Sequence, residues 1–219
     1  MRRFPFLFSL FAVFALALVP AQASVIQYTL TSQHCTGACG PTGATFGTVT
    51  LTDTVANTVQ VTVSLNSPYE FVHTGFDVTV AFDLLGNPTI SAGSITSGWS
   101  LFNGGVPTTI HMDGTGDFEY GVVCDVCGTG SSNAQPGSVN FTLTGTGLSA
   151  ASFADVNTNF FAVDIFNSAT SGVGAGNTGL VDATGGGIII TSTPEPGSFA
   201  LLGGGLVALS LVLRKRAKR

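Results

Sequence analysis

Between Arg3 and Arg214 the sequence contains no lysine and no arginine. All seven basic residues of the 219-residue chain lie at its ends, Arg2 and Arg3 at one and Arg214, Lys215, Arg216, Lys218 and Arg219 at the other. Cationic neutralisation of phosphate is therefore unavailable to the central region, which excludes nucleic acid and clamped nucleotide phosphates as its partners. A catalytic lysine and an arginine finger are excluded with them. Histidine is scarce as well, with His34, His73 and His111 alone, and no Gly-x-Ser-x-Gly elbow accompanies them, so no serine-hydrolase triad is advertised. Charged residues make up only 9% of the chain, too few for a coiled coil, while 44% hydrophobic residues are too many for simple disorder. Eleven of the twelve acids fall between Asp53 and Asp182 without one countercharge, and the last is Glu195.

What the chain does have is strongly sectioned. Residues 1–23 read as a secretory signal peptide: Arg2 and Arg3, an apolar run from Phe4 to Val19, then Pro20 and the small-x-small site Ala21-Gln22-Ala23. Export through the Sec machinery and a mature start at Ser24 follow from that reading. At the far end, Phe199 to Leu213 is uncharged and mostly apolar and runs straight into the basic tail. As a helix it spans about 23 Å, short of a ~30 Å hydrocarbon core unless the flanking stems snorkel. Basic residues on its C-terminal side predict a transmembrane helix with a cytoplasmic C-terminus, anchored in the inner membrane transiently or permanently.

Before that helix stands Pro194-Glu195-Pro196, an extended stretch in which neither proline continues a helix. The order of Pro-Glu-Pro, glycine-containing apolar helix and Arg-Lys-Arg terminus resembles the PEP-CTERM sorting signal of exported proteins in exopolysaccharide-producing Gram-negative bacteria. The resemblance covers residues 194–219. It implies that an integral-membrane protease-transpeptidase, the exosortase, reads Pro194, Glu195 and Pro196 and processes the chain near Pro196. It assigns no chemistry to the domain delivered, and it places the protein in the cell envelope or extracellular matrix of a biofilm.

The intervening domain, residues 24–193, alternates with period two. Val59, Val61, Val63 and Leu65 are interleaved with Gln60, Thr62 and Ser64; Phe76, Val78, Val80 and Phe82 with Asp77, Thr79, Ala81 and Asp83. Ile26, Tyr28 and Leu30, then Phe46, Val49 and Leu51, then Val139, Phe141 and Leu143, then Phe161, Val163 and Ile165 continue the pattern. Each such strand is expected to turn one apolar face inward and one polar face to water, and Ile188 to Ile190 reads as a last buried strand. Turn signals such as Asn66-Ser67-Pro68 and Gly86-Asn87-Pro88 separate the segments. The fold class predicted is all-β, an antiparallel β-sandwich or jelly-roll-like domain. Only Leu148 to Val156 reads as a helical turn or two, starting near Ser149.

Four features bear on chemistry. Cys35, Cys39, Cys124 and Cys127 form two tight pairs; in an exported protein they predict disulfides, with three connectivities open, while a four-thiolate zinc site with His34 as a substitute ligand is the alternative. Asp113, Asp117 and Glu119 offer hard oxygens among flexible glycines, which suits a Ca²⁺ ion, against a plain solvated turn leading into a strand from Phe118. Trp99, the single tryptophan, is either a stacking platform for a sugar ring or a plug at one end of the core. Asp113 and Glu119 are also the best carboxylates available to a glycosidase. The expected function is a non-enzymatic surface or matrix protein sorted by exosortase, with exopolysaccharide as ligand; a self-associating structural protein and an extracellular hydrolase are the alternatives.

Overall fold

A computed structural model of the chain describes residues 24–74, 78–155 and 158–191, with Gly203, Gly205, Leu206 and Leu209 beyond them. Among these described residues seventeen strands follow one another. The first half runs β1 Ser24–Leu30, β2 Ser32–Cys35, β3 Gly47–Val55, β4 Thr58–Leu65, β5 Tyr69–His73, β6 Val80–Leu84, β7 Ser91–Ile95 and β8 Trp99–Leu101. Then come β9 Ile110–Met112, β10 Gly116–Phe118, β11 Tyr120–Cys124, β12 Gly130–Pro136, β13 Ser138–Thr144, β14 Phe153–Ala154, β15 Asn159–Asn167, β16 Thr178–Thr184 and β17 Ile188–Thr191. The helical turn expected after Leu148 is a single 3-10 turn, Ala150–Ser152, closed by a capping box between Ser149 and Ser152.

Two sheets share one core. A six-stranded sheet has the order β17-β1-β3-β4-β13-β7, and a nine-stranded sheet is built around β15, which pairs with β5, β6 and β16. The ladders between these strands are antiparallel. Val and Leu at every second position of β3, β4 and β13 face inward because the pleat alternates side chains. From the other sheet come Phe71, Phe82 and Phe161, all in the same buried cluster as Val49, Val61 and Phe141. Phe82 sits at its centre, with ring centroids 5.7 Å from Tyr120, 6.2 Å from Phe141, 5.4 Å from Phe153 and 6.2 Å from Phe161. Fully burying one such ring contributes about 1.5–3 kcal/mol. The Ser24–Ile190 segment forms one compact unit.

Two expectations about faces need correction. Around β6 the polar face does not meet water: Thr79 and Ala81 are buried, and Val78 and Ala81 join Ala162, Leu180, Ile110, Met112 and Phe118 in a second apolar cluster. The β9–β10 hairpin supplies the last three and lies over that side of the nine-stranded sheet. Phe76 and Asp77 lie outside the described residues. The isoleucines of β17, expected to be buried, are exposed, because β17 is an outermost strand with β1 as its one neighbour among the described strands.

The signal peptide and Pro194, Glu195 and Pro196 lie outside the described residues, as does most of the expected membrane helix. Gly203, Gly205, Leu206 and Leu209 are helical. Among the described residues no helix is long and apolar enough to cross a membrane.

Candidate functional site

The acids singled out for calcium are dispersed. In the β9–β10 hairpin Phe118 pairs with Ile110 and Asp117 with His111; since neighbours in a strand point to opposite sides, the apolar pair goes inward and the polar pair outward. Asp117 Oδ1 lies 2.6 Å from His111 Nδ1, and this hydrogen bond, reinforced by the Asp117 charge, raises the His111 pKa. Asp113 is exposed in the turn. Glu119 lies past the end of β10, where the chain crosses to β11, and its backbone N–H donates to Asp83 Oδ1 at 2.5 Å. No three His, Cys, Asp or Glu side chains among the described residues are arranged to hold a metal ion. Among the described residues, Asp113, Asp117 and Glu119 are thus not grouped as the calcium ligands the sequence suggested.

The zinc alternative fails on the thiols. Cys35 is bonded to Cys39 and Cys124 to Cys127, which leaves no thiolate in either pair and selects the two local bridges from the three connectivities. The Gln33 side-chain oxygen accepts the backbone N–H groups of Cys39 and Gly40 at 2.7 and 3.0 Å, holding the first loop against β2. Trp99 is 7% exposed and its indole meets Phe71 edge to face, centroids 5.2 Å apart. An indole covered in this way closes the core and offers no free face to a sugar.

Three acids that the sequence reading passed over are the electrostatically unusual ones. Asp164 is fully buried; Thr74 donates to it through its N–H and its hydroxyl, each at 2.6 Å. Burial outweighs those bonds and pushes its carboxyl up to about 6. Asp83 is likewise pushed up to about 6, by burial first and then by the Glu119 charge, and Glu119 Oε2 is buried without a partner. Tyr120, whose hydroxyl donates to the Pro88 carbonyl, is pushed up to about 12, chiefly by burial and then by the Glu119 and Asp83 charges. Asp182 is fully buried, with Oδ2 2.8 Å from His34 Nε2 and Oδ1 unpartnered. A signal was there to read: Asp164 and Asp182 each interrupt an apolar strand, Ala162-Val163-Asp164-Ile165 and Leu180-Val181-Asp182-Ala183.

The His34 cluster does not make a nucleophile. Ser32 Oγ, at 3.2 Å, and Asp182 both address Nε2, whereas a relay needs hydroxyl and carboxylate on opposite ring nitrogens. On the Nδ1 side lies Gly114, at φ +80°, where an added Cβ would fall 2.8 Å from that nitrogen. Only glycine fits the turn there, and it packs the hairpin tip against the ring.

The remaining feature is a surface. The outward positions of β1, β3, β4 and β13 line up across the six-stranded sheet as Thr29, Thr48, Ser64 and Ser138, then Gln27, Thr50, Thr62 and Asn140, then Thr52, Gln60 and Thr142. Apart from Val25, which stands opposite Thr52 on β1, every one is a hydroxyl or an amide. Cross-strand bonds hold them in rows: Thr62 donates to Asn140 Oδ1 at 2.7 Å, Ser64 and Ser138 lie 2.8 Å apart, and Ser94 and Thr142 lie 3.0 Å apart. Asp53 is the one acid in the six strands, and its Oδ1 is taken by the Ala150 N–H at 2.7 Å. Neighbouring rows are spaced by the pleat, about 6.8 Å along a strand and about 4.8 Å across it. The result is a regular uncharged grid of donors and acceptors on an otherwise acidic molecule.

Fold and bonds define an all-β, disulfide-bonded antiparallel domain with its C-terminal segment following the edge strand β17. That segment matches the family model described as the PEP-CTERM protein-sorting motif, over residues 192–216. The chain carries the PEP-CTERM sorting signal, which implies an exported, envelope-associated protein processed by exosortase. No curated protein and no solved structure matches the chain.

Proposed function

We propose that the Ser24–Ile190 domain is a non-enzymatic β-sandwich that contacts uncharged stretches of exopolysaccharide through the outer face of its six-stranded sheet. The sorting signal at 192–216 supports delivery to the envelope. The observation that carries the binding reading is the grid itself, with rows of hydroxyls and amides and no cation or free carboxylate among them. A neutral sugar polymer presents the same functional groups, so hydrogen bonds form on both sides with no charge left unpaired. The acids elsewhere repel anionic polymers, and without lysine or arginine nothing attracts them. Non-enzymatic action is supported by His34, whose two partners share one nitrogen.

The test is retention of the exported protein on matrix polysaccharide at moderate salt. Wild type and Asp117→Asn are retained, and Thr50→Glu/Thr62→Glu is not. Equal retention of all three would remove the face from the reading. Intact mass from hosts with and without exosortase tests delivery: the C-terminus lies near Pro196 only where the enzyme is present.

A further inference from the structure

We propose that β17 is a self-pairing strand: two copies of the exported protein join their six-stranded sheets edge to edge through antiparallel pairing of Ile188–Ile190 with the same residues of the second copy. The proposal goes beyond polysaccharide binding and stands without it.

An edge strand with free N–H and C=O groups recruits other strands unless something blunts it. Four other outer strands of the domain are blunted. The β7 ladder is broken by a register shift against β13, and β7 contains Gly93. A shift also interrupts the pairing of β12, which ends on Pro136. β8 has three residues, and β2 runs into the Cys35–Cys39 loop. β17, though only four residues long, has no register shift, glycine, proline or disulfide loop among the described residues. It is Ile-Ile-Ile-Thr, and Ile188, Ile189 and Ile190 are 70%, 66% and 44% exposed. Because alternate side chains face opposite sides, isoleucine is presented on both surfaces of the strand.

Charge chooses a second copy as the occupant. Two molecules with eleven acids and no lysine or arginine between Ser24 and Ile190 repel one another across most of their surfaces. β17 and its neighbour β1 contain no acid, so an edge-to-edge approach brings the charge-free ends together. A basic partner would be drawn to the acids elsewhere, not to this strip. Pairing about a two-fold axis through Ile189 sets the two Ile189 residues opposite each other on one face, and Ile188 opposite Ile190; such an isologous contact is self-complementary and closes at two copies.

Sedimentation velocity over a concentration series, without polysaccharide, decides the matter. The exported protein and Ile189→Val should show a concentration-dependent dimer. Ile189→Glu should raise its dissociation constant at least tenfold by placing two carboxylates in the pair, while Leu85→Glu, at an exposed apolar residue outside β17, should leave it unchanged. Amide exchange of β17 should slow with concentration in wild type, Ile189→Val and Leu85→Glu, and not in Ile189→Glu. A monomer at every concentration, a dimer that survives Ile189→Glu, or equal loss in Ile189→Glu and Leu85→Glu would each overturn the proposal. Since Ile189 is exposed, circular dichroism of the Glu variant should match wild type.

Discussion

The two sheets of this domain divide its chemistry. The six-stranded sheet holds one acid, Asp53, faces the core with Val, Leu and Phe, and turns Thr, Ser, Gln and Asn outward. The nine-stranded sheet buries Asp164 and Asp182, takes both disulfides at its margins and is covered on its far side by the β9–β10 hairpin. The six-stranded sheet turns a polar face to water, while the hairpin covers the centre of the nine-stranded sheet's outer side. Rows of polar side chains on water-facing strands carry the proposed contact with little consequence for stability, while buried carboxylates contribute a pH dependence and little surface.

The largest effect that would break this division is in the shared core. Phe82→Ala removes the ring that touches four others and should cost about 3–5 kcal/mol in urea unfolding. Thr62→Ala on the outer face should stay within about 0.5 kcal/mol. Comparable losses would mean that the grid is structural.

Next comes pH. Asp164 titrates at about 6 in the fold against 3.8 unfolded, so the native state holds its proton more tightly. Stability is therefore greatest below pH 4 for this group and falls as pH rises to 6, by roughly 3 kcal/mol. Half-exposed Asp83 adds a smaller fall over the same window. Asp164→Asn should flatten most of the slope in melting temperature between pH 4 and 6, and an unchanged slope would remove Asp164 as its source.

Smaller again is the second disulfide. Cys124 and Cys127 close a loop of only a few residues, so Cys124→Ser/Cys127→Ser should cost at most about 2 kcal/mol. A loss of twice that in denaturant unfolding would show that the bridge supports the nine-stranded sheet far beyond its own loop. The smallest change in stability is expected from Thr50→Ala/Thr62→Ala on the outer face, within about 1 kcal/mol for the pair, and polysaccharide retention should nonetheless fall.

Strand identity was legible where one face is wet. Val59 to Leu65 lies within β4, Thr58–Leu65, and Val139 to Leu143 within β13, because period-two burial is a local property. It misled at β6, where a hairpin distant in sequence covers the polar side, and at β17, where apolar residues stand on an edge. The sorting signal was legible because its Pro-Glu-Pro, apolar segment and basic tail are contiguous. The meeting of Asp83 with Glu119, and of His34 with Asp182, depends on register across strands far apart in the chain. Clustering in sequence favoured Asp113 with Asp117 and Glu119 instead, whereas the fold gives Asp117 to His111 and brings Glu119 beside Asp83. The uncharged grid needs four strands in register before it exists at all.

The most direct test of the account is amide chemical-shift mapping of the exported protein as uncharged exopolysaccharide is titrated in. The account predicts shifts at Thr48, Thr50, Thr62 and Asn140 and their neighbours on the outer face, with His111 and Asp117 unmoved. Shifts confined to the β9–β10 hairpin or the disulfide loops, or no shifts at saturating polymer, would contradict it.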